Sequence, residues 1–104
     1  MRPIILSAWM LVGCGAGFLY TRTTTANVEA KPEGCDFVVL GTAPARPHEE
    51  VGILDGDHSC PDDVRKYRLA IQKQVCAAGG DAVISQVSGL GCYVRGVVIR
   101  WTKE

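Results

Sequence analysis

What the sequence lacks first is a surplus of charge of either sign. Its 11 Lys and Arg stand against 11 Asp and Glu, a formal net charge of zero. A nucleic-acid partner calls for a basic face and usually a high pI, so that class of function is set aside. Histidine is scarce, and no group of residues has the four-ligand spacing of a structural zinc site. There is no Gly-x-Ser-x-Gly elbow for a serine nucleophile. Gly79-Gly80 and Gly89-Leu90-Gly91 precede no helix, so they read as a cap and a turn and not as phosphate loops. These absences point to a non-enzymatic protein with no cofactor. At 104 residues the chain has room for one small domain. Cysteine, by contrast, is plentiful and odd in number: Cys14, Cys35, Cys60, Cys76 and Cys92.

The first residues run Met1-Arg2-Pro3, then an apolar stretch from Ile4 to Val12, then Gly13-Cys14-Gly15. One positive residue, a short apolar run and a small residue before the break have the form of a secretory signal. Leu11-Val12-Gly13-Cys14 resembles the bacterial lipobox. That resemblance implies a signal peptide over residues 1–13, cleavage at Gly13–Cys14, and acylation of Cys14 with diacylglycerol and palmitate-type chains. Gly15 in place of Asp after the acylated Cys implies sorting to the outer membrane. A competing reading extends the apolar run through Tyr20 as an uncleaved inner-membrane anchor of about 17 residues, the lower limit for a span. Gly13, Gly15 and Gly17 weaken such a helix by roughly 1 kcal/mol each. A core helix is a third option, poorly matched by the Thr-rich stretch that follows.

Residues 21–34 show no apolar periodicity and end in turn formers, so residues 14–34 are expected to be a lipidated Cys on a flexible tether. The folded domain is then expected over residues 35–104. Phe37–Leu40 and Val51–Leu54 are strand candidates, separated by Pro44 and Pro47, with Asp55-Gly56-Asp57 as a turn. Pro61, Asp62 and Asp63 open a helix in which Val64, Tyr67, Ile71, Val75 and Ala78 share a face. Gly79-Gly80 ends it. Ala82–Val87 and Cys92–Trp101 are the last strands, with Arg95 interrupting an apolar face of Tyr93, Val97, Ile99 and Trp101. The expected fold is α+β: a small four-stranded sheet in β-β-α-β-β order with one helix packed across it.

With Cys14 assigned to lipid, four cysteines remain, and export to the periplasm is where they would oxidise. Cys60 and Cys76 lie 16 residues apart on one helix, roughly 24 Å at 1.5 Å per residue, well beyond a bridge. The helix runs back before the third strand starts, and the turn at Gly89–Gly91 brings Cys92 toward the helix start. That favours Cys60–Cys92 with Cys35–Cys76. A simple hairpin of the first two strands would instead carry Cys35 toward Cys60. If Cys60 were reduced, Asp55, Asp57 and His58 offer an alternative metal site, although the set is short of ligands. Arg95 is expected to form a salt bridge or meet a partner.

From Val51 to Trp101 the chain resembles the outer-membrane lipoproteins that sense envelope stress for the Rcs phosphorelay. More distantly it resembles the small "heavy-metal-binding" α+β domains. The resemblance is carried by Val51-Gly-x-Leu54 running into Gly56-Asp-x-Ser-Cys60, by Asp81-Ala82-Val83, and by Gly91-Cys92-Tyr93. It implies a Cys60–Cys92 bond, the α+β fold, an outer-membrane location and a sensing role. The second bridge of that family has no counterpart, because the positions near Gln86 and Val98 are not Cys, and the long Pro-rich linker is missing. The expected protein is an envelope lipoprotein that binds or senses, held to the membrane by Cys14 and in contact with another envelope protein.

Overall fold

The computed structural model describes residues 17–57, with Asp57 as backbone only, and residues 60–102. Its elements in chain order are β1 (Gly17–Arg22), β2 (Val38–Leu40), β3 (His48–Asp57), α1 (Val64–Ala78), β4 (Ala82–Val87) and β5 (Tyr93–Trp101). They form a mixed sheet in the order β1-β3-β5-β4-β2, with β2 parallel to β4 and every other neighbour antiparallel. The α+β class, with one helix among the described residues, is as the sequence implies.

The helix ends where its sequence implies, but it begins at Val64, three residues after the expected first position at Pro61, so that Cys60 and Pro61 precede it. Asp63 is the N-cap, and its carboxylate accepts the Lys66 amide at 2.9 Å. Gly79 takes φ 76°, the left-handed cap that frees its N–H for the carbonyls of Cys76 and Val75. Tyr67, Ile71 and Val75 lie buried against Phe18, Val51, Leu54, Val83 and Val98 of the sheet. Each such side chain contributes about 1.5–3 kcal/mol when fully removed from water. Val64, expected on the same stripe, stands exposed at the open first turn. Tyr67 is the centre of this core: it stacks on Tyr93 at 4.3 Å, meets Phe18 edge-on at 5.4 Å, and accepts a hydrogen bond from Ser85 Oγ at 3.0 Å. Gly96 has to lack a side chain, since a Cβ there would come within 2.5 Å of the Tyr67 hydroxyl.

Four strands were expected and five are present among the described residues. The additional one is β1, which lies within residues 14–34, the stretch expected to be a lipidated Cys on a flexible tether. Its residues alternate as a half-buried strand does: Phe18 and Tyr20 turn inward, while Leu19 and Thr21 turn out. The pairing of β1 continues β3 through Asp57, so Asp55-Gly56-Asp57 is strand and not the expected turn. Residues 23–34 are likewise laid on the domain. The Thr23 amide donates to Val51 O at 3.0 Å, the Lys31 amide donates to Cys76 O at 2.8 Å, and Lys31 Nζ pairs with Asp81. Val28 packs on the core. The expected tether over 21–34 is therefore a strap, because each of these polar groups finds a partner on the domain.

Two bulges reset the faces of the central strands. One skips Val51 between Glu50 and Gly52, and Val51 is buried in the core. The other skips Val94 between Tyr93 and Arg95. Tyr93 thus packs on the helix side, while Arg95, Val97 and Ile99 turn to the opposite face. The expected apolar face of β5 is split between the two sides of the sheet. Arg95 interrupts nothing, because it never shares a side with Tyr93.

Candidate functional site

The cysteines pair in the favoured set. Cys35 bonds Cys76 with Cα atoms 5.8 Å apart, and Cys60 bonds Cys92 with Cα atoms 4.8 Å apart. The parallel β2–β4 pairing explains why no hairpin carries Cys35 to Cys60: β2 lies on one edge of the sheet, and residues 41–47 cross to β3 on the other side of β5. The bridges pin opposite ends of α1, one joining its last turn to the strap and one joining its approach to the start of β5. With their sulfurs bonded, none of the four offers a thiolate to a substrate or a metal.

The acidic stretch expected as an alternative metal site is spread along β3. Asp55 faces Arg95 across the ladder, with Arg95 Nε 3.6 Å from its Oδ1. That contact gives Arg95 the salt bridge expected of it. His58 lies outside the described residues, as do residues 1–13 and Cys14. Among the described residues no group of three His, Cys, Asp or Glu could hold a metal ion. Likewise among the described residues, no helix is long and apolar enough to cross a membrane.

A concave feature that the sequence reading missed lies behind β1. An open cleft of about 260 Å³ is walled by Tyr20 and Arg22 of β1, by Thr24 and Val28 of the strap, by Val51, and by Gln74, Ala77 and Ala78 of α1. That is just under the usual range for small-molecule sites, and enough for a small ligand or one side chain of a partner. Its polar groups are held in place by the backbone. Tyr20 donates to Val51 O at 3.1 Å, and Arg22 Nε donates to Thr24 O at 2.9 Å. Burial raises the Tyr20 phenol above its ordinary value, partly opposed by the nearby Arg22 charge. Gly52 makes room for the Tyr20 ring, which would overlap any side chain there. The signal available in the sequence was the alternation Phe18, Tyr20, Arg22, concealed by its position at the end of an apolar run.

Exposed apolar side chains are unevenly distributed. Leu90 at the tip of the β4–β5 turn is 91% exposed, and Val87, Val64 and Leu19 are also open to solvent. All four lie toward the end of the domain at which β1 begins, β3 ends, α1 begins and β5 begins. Fold and bridges together define a disulfide-stapled α+β domain, one helix over a mixed five-stranded sheet. No protein-family model, curated protein or solved structure matches the chain.

Proposed function

We propose that the protein is a bacterial envelope lipoprotein, a non-enzymatic binding or sensing module anchored by an acylated Cys14. The observation that carries this reading is the cysteine balance. Four of the five cysteines are consumed in two bridges, and the one left over is the Cys of Leu11-Val12-Gly13-Cys14. Two bridges in so small a domain favour an oxidising compartment beyond the cytoplasm. Gly15 favours the outer membrane over the inner. In place of catalytic machinery the domain offers a small cleft with an apolar wall and backbone-held polar groups, suited to a side chain of another envelope protein.

Processing in intact cells tests the anchor. Labelled palmitate should enter the protein and globomycin should block its maturation, and both effects should vanish in Cys14→Ser. An unprocessed protein that still fractionates with the inner membrane would replace this reading with the N-terminal anchor. Crosslinking in intact cells followed by co-purification then identifies the partner, with Gln74→Ala and Tyr20→Ala expected to weaken capture if the cleft receives it. Calorimetric titration with zinc, copper and nickel checks the metal alternative at Asp55, Asp57 and His58. Heat at micromolar metal, lost in His58→Ala, would move the protein to that class.

A further inference from the structure

We infer that the end of the domain carrying Leu90 docks on the bilayer, with the lipid surface as its partner. This inference rests on the acylation of Cys14 proposed above. Three residue steps separate Cys14 from Gly17, where β1 begins, and fully extended they reach about 11 Å. With residues 17–22 in the sheet and residues 23–34 strapped to the domain, that short reach is all the leash there is. An acyl group in the membrane holds the first residue of β1 near the headgroups.

The register then says what else comes down with it. Gly17 pairs with Asp57, Asp55 pairs with Arg95, and Tyr93 pairs with Val87, so the start of β1 shares its end of the sheet with the β4–β5 turn. The Tyr93 amide donates to Pro61 O at 2.9 Å, which places the approach to α1 at the same end. Four of the six large apolar side chains that stand exposed among the described residues are there: Leu19, Val64, Val87 and Leu90. The other two, Val38 and Leu69, lie at the far end of the sheet and on the outer face of α1. Protruding apolar side chains beside a lipid anchor fit the boundary between headgroups and acyl chains. Most of the charged side chains described at this end are matched within the protein, and Arg65 of the first helical turn stands exposed. Asp55 pairs with Arg95, Asp62 pairs with Lys66 at 3.2 Å, and Asp63 caps α1. The described residues form no cationic patch there, so the contact is apolar and does not depend on anionic lipid.

The acylated protein, purified from cells and reconstituted in phosphatidylcholine vesicles brominated on the acyl chains, tests this directly. After cleavage at Gly13–Cys14 the native protein keeps Trp101 as its sole tryptophan, at the other end of the nine-residue β5. Leu90→Trp should lose its added indole emission to the bromines. Val38→Trp and native Trp101 should keep theirs. Far-UV circular dichroism and non-reducing peptide maps confirm that each variant is folded. Acylated, vesicle-bound protein with an unquenched Leu90→Trp overturns the docking and leaves the anchor standing, as does quenching confined to Val38→Trp. A mass spectrum with no acyl group on Cys14 overturns the anchor, and the docking with it.

Discussion

Asp81 shows how one side chain ties the strap to the sheet. Burial pushes its carboxyl pKa up, but Lys31 and the Trp101 amide, which donates at 2.8 Å, outweigh this and hold it below its ordinary value. A depressed folded value means the carboxylate contributes stability above its unfolded pKa, and that contribution is lost as pH falls through the folded one. Unfolding midpoints in denaturant should therefore fall on acidification below the ordinary carboxylate range. Asp81→Ala should be less stable by about 2 kcal/mol at neutral pH, with a flatter acid limb, since hydrogen bonds to charged groups contribute on that order. Arg95 makes a related point. It looked like a break in an apolar face in the linear sequence, but a bulge of one residue turns Tyr93 to the other side and leaves Arg95 at the end of that face, opposite Asp55.

Among the elements, β1 matters most. Phe18 is 5% exposed and packs on Tyr67, so it belongs to the core although it follows directly on a leader-like run. Phe18→Ala should destabilise the protein by about 3–5 kcal/mol, the usual range for truncating a buried Phe. Chemical denaturation gives the value, and a change within a few tenths of a kcal/mol would mean that the fold starts later in the chain. The helix and the strands from Ala82 onward were legible because a cap, a C-terminal glycine and turn residues bracket them. The first strand was not, because three alternating glycines and an unbroken apolar stretch hide its period of two. The strap was illegible for another reason: its polar residues have no pattern of their own and are ordered by partners such as Asp81 and Val51, far away in sequence.

For the whole molecule, the bridges and the short leash set the behaviour. The Cys35–Cys76 bond spans 41 residues and fastens the strap to the last turn of α1. In the chain-entropy model such a closure contributes about 4 kcal/mol. The double variant Cys35→Ser/Cys76→Ser should lose a stability of that size in denaturant unfolding. Limited proteolysis should then cut first within 23–34, the segment this bridge holds down. The cleft behind β1 is walled in part by the same strap, so partner capture through the cleft should weaken in that variant as well.

The sequence alone determined the helix and its C-terminal end, the α+β class, the surplus cysteine and the lipobox-like stretch around it. These are local matters of periodicity, capping and spacing, written within a few residues of where they act. The bridge pairing was favoured but not closed, because helix rise excludes only Cys60–Cys76 and the partner of Cys35 depends on how the first two strands connect. Only the tertiary structure decided that the sheet has five strands, that residues 23–34 form a strap, and that Tyr20, Arg22 and Gln74 converge on one cleft. Each of those outcomes depends on which strands become neighbours and where a bulge shifts the register. That is a global packing choice, and no window of adjacent residues encodes it.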